Sequence, residues 1–196
     1  MQQIVLASGN KGKLAEFSSM FEPYNISVLP QSEFSISDAD ETGLSFVENA
    51  IIKARHASEQ ANLPAIADDS GLVVDALNGG PGIYSARYAG EHGNDQANYE
   101  KLLANLTDNQ NRKAKFLCVL VFMRHAEDPE PIICQGEWHG EITQTPFGNG
   151  GFGYDPVFYV PEQKCTAAEL DKAVKNQISH RGQALRALMQ KLHGII

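Results

Sequence analysis

The chain has 196 residues, 42% of them hydrophobic and 20% charged, with a formal net charge of −8. That profile is one of a globular protein long enough for one sizeable core, or for a single domain with two lobes; its acidity argues against a broad nucleic-acid surface but leaves room for a local basic pocket. The longest apolar run, residues 116–123, is far short of the roughly 20 residues that span a bilayer, and "MQQIVLASGN" lacks the basic start and long apolar stretch of a signal peptide, so no membrane partner is expected and the cytoplasm is the expected compartment.

In chain order, "IVLAS" at 4–8 reads as a buried strand, after which Leu14, Phe17, Met20 and Phe21 follow helical spacing. Between them lies "SGNKGK" at 8–13. Lys11 and Lys13 crowd a helix N-terminus, whose partial positive charge disfavours cations by a few tenths to about 1 kcal/mol each. Gly9, Asn10 and Gly12 permit exposed backbone N–H groups beside them. The spacing is not that of a Walker A loop. A bound phosphate would nevertheless resolve the conflict of charge, whereas without one the lysines are solvated surface groups.

"ISVLP" at 26–30 is a second short strand, and a helix is signalled from Ser45 to about Ala61 by Leu44, Val47, Ala50, Ile51 and Ala54. Ser45 and Glu48 form an S-x-x-E capping box at its start. Two acidic places compete as oxygen ligands for a metal: Asp38, Asp40 and Glu41 before this helix, and Asp68 and Asp69 within "PAIADDSGLVVDAL" at 64–77. The first group also suits the helix dipole. The second reads as a polar turn, Asp68-Asp69-Ser70-Gly71, joining two β segments, although the strand "AIA" running straight into it would make a rigid platform for a metal or a general base. Lys53 is either a surface charge or a cation reaching the same place.

A short helix is expected from Tyr99 to Leu106, the strongest strand at 113–126, and its antiparallel neighbour at 131–142. Cys118, Cys134 and Cys165 lack C-x-x-C spacing and are odd in number, which argues against a disulfide framework and a zinc site. In "FGNGGFGYDP" at 147–156, Gly148, Gly150 and Gly153 match G-x-G-x-x-G, but no helix follows: Pro156 biases Asp155 away from helical dihedrals, and "VFYV" is β-rich. The dinucleotide reading therefore fails. Two readings stay open, a turn with Phe152 and Tyr154 in the core or a loop offering those rings to a planar base. The last helix carries Ala184, Leu185, Leu188, Met189 and Leu192 on one face, with Ser179 as N-cap. His180 and Arg181 in its first turn, with Lys175 just before, repeat the charge conflict of residues 11–13. Helices and strands in this order predict a mixed sheet with helices packed on it, an α/β or α+β fold.

Six ordered blocks, "SGNKGK" at 8–13, "ETGLSFVENAIIKA" at 41–54, "AIADDSGL" at 65–72, "PGIYSARYAG" at 81–90, "GGFGYDPVF" at 150–158 and "ISHRGQAL" at 178–185, make the chain similar to the dITP/XTP pyrophosphatase family, the inosine triphosphate pyrophosphatases. The resemblance runs nearly the full length; the family often begins its first block with Thr, and Ser8 keeps the hydroxyl here. It implies an elongated, two-lobed α/β fold with a cleft between the lobes, a homodimer, and Mg²⁺-dependent hydrolysis of dITP, ITP and XTP to the monophosphate and pyrophosphate. It implies that Ser8, Gly9, Asn10, Lys11, Gly12 and Lys13, with Lys53, serve the triphosphate. Asp69 becomes general base and metal ligand, Glu41 the second carboxylate near Mg²⁺, and Ser70 a substrate contact. Phe152, Gly153, Tyr154, Asp155, Lys175, His180 and Arg181 form the base and sugar side. A pyrophosphatase of the related Maf type would prefer other nucleotides, and "ISHRG" argues against it; a nucleotide-binding sensor would have no use for Asp69 and Glu41 together.

Overall fold

The computed structural model describes residues 2–193. One sheet runs in the order β2-β1-β3-β4-β5-β6-β7, from strands Gln2–Leu6 (β1), Ile26–Pro30 (β2), Ala65–Val74 (β3), Lys113–Met123 (β4), Ile132–Ile142 (β5), Phe158–Val160 (β6) and Cys165–Thr166 (β7). β1 is parallel to both β2 and β3, while β6 is antiparallel to β5 and β7. The helices are Lys11–Phe21 (α1), Phe46–Ala61 (α2), Asp95–Asn105 (α3), Lys172–Ile178 (α4) and His180–Leu192 (α5). The mixed sheet with flanking helices is the fold class the sequence predicts, and β4 has β5 as its neighbour as expected.

The chain folds into two compact units. Of the described residues, the first gathers 2–69, 119–135 and 184–193. In it Ile4, Val5 and Leu6 of β1 are wholly buried, the continuous apolar run of a parallel strand covered on both faces. Helix α1 packs on β2 and α2 on β1. Phe17 and Phe21 are fully buried, each stabilising the fold by about 2–3 kcal/mol. The apolar stripe of α5, Ala184, Leu185, Leu188, Met189 and Leu192, is buried as its spacing predicts.

The turn between β4 and β5 is organised by Asp128, which is buried. Its carboxylate accepts hydrogen bonds from the Arg124 backbone N–H (3.0 Å), Arg124 Nε (2.9 Å) and the Glu130 N–H (3.0 Å). The Arg124 guanidinium holds this carboxyl far below the ordinary carboxylate range, against the opposing effect of burial. A depressed folded-state value contributes stability that is present above about pH 4 and is lost as the pH falls below it. Asp128→Asn is therefore expected to lose about 1–2 kcal/mol at pH 7, a range reduced because Arg124 is nearly half exposed and screened. Urea unfolding at pH 7 and pH 3 checks it: the deficit should shrink at the lower pH.

The second unit gathers Ser70–Cys118 and Gly136–Gln183. Leu72, Val74, Leu102, Leu106, Phe116, Trp138, Val157 and Phe158 lie in its core, with Tyr154 among them. Ser85 ties the unit together: its hydroxyl accepts from Leu72 N (2.9 Å) and donates to the Gly82 carbonyl (2.6 Å).

Several boundaries differ from expectation. The segment 64–77 is not two β segments joined by a turn: β3 runs unbroken through Asp68, Asp69 and Ser70. Their turn propensity is overridden because lysines neutralise both carboxylates, so the backbone keeps its ladder. Helix α3 starts four residues before Tyr99, where Asn94 Oδ1 caps the Ala97 N–H. Of the β-rich "VFYV" at 157–160, the last three residues form β6, and Val157 closes the 3₁₀ turn Asp155–Val157.

Candidate functional site

In the first unit, β1 delivers the chain to a tight turn. Asn10 N donates to Ser8 Oγ (3.2 Å), and Asn10 Oδ1 then caps α1 by accepting from Gly12 N (2.8 Å) and Lys13 N (3.0 Å). Gly9 has open space where a side chain would stand, and Gly9, Asn10, Lys11 and Gly12 are exposed. Lys11 thus faces solvent at a helix N-terminus, as the sequence predicts, whereas the Asn10 and Gly12 N–H groups expected to be open are taken by Ser8 Oγ and Asn10 Oδ1. Lys13 turns back instead, its Nζ donating to Asp68 Oδ1 at 2.8 Å.

Asp69 is buried on β3, and its Oδ1 accepts from Lys53 Nζ of α2 at 2.7 Å. Glu41 Oε1 lies 3.2 Å from the same ammonium. Asp69 Oδ2 is buried and has no hydrogen-bond partner. Burial pushes the Asp69 carboxyl above the ordinary carboxylate value; Lys53 opposes the rise, while Glu41 and Asp68 add to it. Burial would depress the Lys53 ammonium, but Asp69, Asp68 and Glu41 outweigh it and keep the group charged. Of the two competing acidic places, one member of the first and both of the second meet around the two lysines. Asp38 is engaged by Gln31 Nε2 (2.5 Å), and Asp40 is exposed.

The turn bearing Glu41 is fixed by a residue without a sequence motif. Asn49, wholly buried on α2, accepts the Gly43 N–H at 2.9 Å. A Cβ on Gly43 would overlap Glu48 and Asn49, so the turn closes only with glycine. Ser45 Oγ caps Glu48 N (3.4 Å), but Glu48 returns its carboxylate to Leu44 N (3.1 Å), one residue before the cap. A buried asparagine inside an amphipathic helix was the available signal for Asn49.

In the second unit, the two rings flanking Gly153 part company. Tyr154 is buried, and its hydroxyl donates to the Ser85 carbonyl at 2.8 Å; burial pushes its phenol well above its ordinary value. Phe152 is 62% exposed, with Lys175 Nζ 4.6 Å from its ring centroid. Tyr154 is thus a support in the core, and Phe152 alone offers a free face. Asp155 is buried; its Oδ2 accepts the Phe152 N–H (2.8 Å) and pairs with the Lys175 ammonium. The loop and α3 border an open recess of about 450 Å³ lined by Asp95, Tyr99, Gly148, Asn149 and Phe152. Ser70, half-buried, follows Asp69 on β3.

Ser179 caps α5 as expected, its Oγ accepting from Gly182 N at 3.2 Å. His180 and Arg181 are buried in the first turn. The His180 imidazole stacks on Phe116 (centroids 4.9 Å apart, planes at 13°), and Trp138 lies in the same orientation at 6.5 Å. Neither aromatic partner is marked by a sequence motif. Phe116 opens the apolar run of β4 and Trp138 alternates with polar residues on β5, and both patterns predict core.

The family model described as "Ham1 family" matches residues 4–191. A dITP/XTP pyrophosphatase of Salmonella typhimurium is 57% identical over 194 residues, covering 98% of each chain. One of Escherichia coli K12 is 55% identical over 194 residues, again 98% of each. The solved structure of a HAM1 protein from Coxiella burnetii superposes with a TM-score of 0.96 at 53% identity, covering 99% of this chain and 100% of that one. No helix among the described residues is long and apolar enough to cross a membrane.

Proposed function

The chain belongs to the Ham1 family, and on that premise we propose that it is a nucleoside-triphosphate pyrophosphatase, hydrolysing the non-standard purine nucleotides dITP, ITP and XTP to the monophosphate and pyrophosphate. The substrate class follows its relatives; the reaction type is supported by one observation, the buried Asp69 carboxylate with one oxygen fixed by Lys53 and the other without a hydrogen-bond partner.

Mg²⁺ is part of the proposal, with Asp69 and Glu41 as its protein ligands. Their hard oxygens fit it, and the unpartnered Asp69 Oδ2 is a ready donor. Among the described residues no group of three or more His, Cys, Asp or Glu could hold a metal alone. That suits Mg²⁺, which keeps several waters and takes substrate phosphates as ligands. When bound, it supplies neutralisation of phosphoryl charge and a lowered pKa for a coordinated water.

The chain's own groups do the rest. Asp69 accepts the proton of the water attacking the α-phosphorus, and Lys53 fixes the orientation of that carboxylate. Lys11 and Lys13, with Ser8, Gly9, Asn10 and Gly12 at the start of α1, offset charge on the departing pyrophosphate. Ser70 supplies a hydroxyl to the substrate. In the second unit, Phe152 offers its exposed face to the purine, with Gly153 and Tyr154 shaping the backbone beneath it. Lys175, held by Asp155, and His180 and Arg181 are donors suited to the keto oxygen at the six-position of hypoxanthine and xanthine, where adenine has an amino group. Assembly as a homodimer and residence in the cytoplasm complete the proposal.

Purified protein incubated with dITP, XTP, GTP, ATP and dUTP tests it. With Mg²⁺, the first two should be consumed at least about a hundredfold faster than ATP, the discrimination a mispaired polar edge supplies. Chelation by EDTA should stop the reaction and added Mg²⁺ restore it. Equal consumption of ATP, or undiminished turnover in EDTA, would contradict the substrate or the metal assignment respectively.

A further inference from the structure

The glycine-rich loop has little of its own to fix it. Residues 148–153 contain four glycines, and Gly148, Gly151 and Gly153 take φ values of +78°, +75° and +62°. Backbone bonds from Phe147 N to the Pro156 carbonyl (2.8 Å) and from Gly150 N to the Ala168 carbonyl (3.2 Å) secure its base. At its tip, two successive N–H groups are held by carboxylates. Phe152 N donates to Asp155 Oδ2 (2.8 Å), inside the same turn. Gly153 N donates to Asp95 Oδ2 at 2.6 Å, from the first residue of α3, 58 positions earlier in the chain. Asp95 is therefore the tertiary partner of the Gly153 N–H, as Lys175 is of Asp155 and the Phe152 ring, and α3 already has its cap in Asn94.

We propose that Asp95 is a positioning residue for purine recognition: by accepting the Gly153 N–H it fixes the backbone on the C-terminal side of Phe152, and so the place of the ring. The proposal rests on the reading of Phe152 as the base platform. Glycine permits many backbone states, so without this anchor the Gly153 side of Phe152 loosens and the ring is held in the stacking position by Asp155 and Lys175 alone among these contacts. Binding suffers, while the Asp69 cluster is untouched. The alternative is that Asp95 only complements the α3 dipole, in which case its removal shifts melting and leaves substrate affinity alone.

The test compares Asp95→Ala, Asp95→Asn, Phe152→Ala and the double variant Asp95→Ala/Phe152→Ala, with dITP as substrate. Asp95→Ala should raise KM about fivefold to tenfold, part of the worth of one charge-assisted bond passed on to substrate through the ring, with kcat within about twofold, since uniform binding is what is lost. Asp95→Asn should recover most of the KM, because its amide oxygen still accepts from Gly153 N. In the Phe152→Ala background, Asp95→Ala should change KM no further. An unchanged KM in Asp95→Ala, or an effect that adds in full to that of Phe152→Ala, overturns the proposal. Wild-type protein that fails to hydrolyse dITP would instead overturn the functional reading beneath it.

Discussion

Asp69→Asn is expected to lower turnover of dITP by about 10²–10⁴-fold, the range contributed by a positioned general base, while nucleotide binding persists. The asparagine keeps an oxygen where Asp69 Oδ1 accepts from Lys53 (2.7 Å), so the local geometry has little reason to collapse. It removes the basic lone pairs of a carboxylate whose second oxygen is buried and unpartnered. The substitution also relieves a burial cost, because desolvation is the largest influence on Asp69. The melting temperature should accordingly stay near that of the wild type. Equilibrium dialysis with dITP, run beside steady-state kinetics, separates binding from chemistry. Wild-type turnover in Asp69→Asn would remove Asp69 as the base.

Lys53→Met is expected to lower both stability and turnover. The Lys53 ammonium stands between Asp69 Oδ1 and Glu41 Oε1, with Asp68 adding to its charge environment. Methionine fills similar volume but leaves acidic groups facing one another without their cation. Removing one partner of a fully buried pair costs about 3–5 kcal/mol; the Glu41 side chain is 29% exposed, so solvent screening reduces the expected loss to about 2–3 kcal/mol. Two companion measurements identify the cause. Lys53→Met/Asp69→Asn should recover part of the stability and none of the turnover, the non-additivity of groups in one network. Mg²⁺ should raise the melting temperature of Lys53→Met by more than that of the wild type, because an external cation then takes over part of the neutralisation. An unchanged melting temperature in Lys53→Met would show that the pairing carries no weight.

The elements are legible where one local signal decides them. The apolar run of β1, the Ser45 cap of α2 and the Ser179 cap of α5 all act within a few residues. The turn expected within 64–77 does not form because Asp-Asp-Ser-Gly is turn-forming only locally, whereas the deciding bonds come from Lys13 and Lys53, 55 and 16 positions away. The same distance hides the site's supports. Asn49 and Asp95 each hold one backbone N–H and belong to no spacing rule. The rings of the glycine loop cannot be ranked from sequence, because either aromatic fits a core. Only the Tyr154 hydroxyl, which finds the Ser85 carbonyl, separates the buried ring from the exposed Phe152.

At the centre of the proposed reaction is a water, deprotonated at Asp69, attacking the α-phosphorus. Hydrolysis of dITP in ¹⁸O-enriched water, with mass analysis of both products, tests this most directly. The label should enter the nucleoside monophosphate and be absent from the released pyrophosphate. Label in pyrophosphate, or release of orthophosphate with dIDP left behind, would place the attack at the β- or γ-phosphorus and contradict that chemistry.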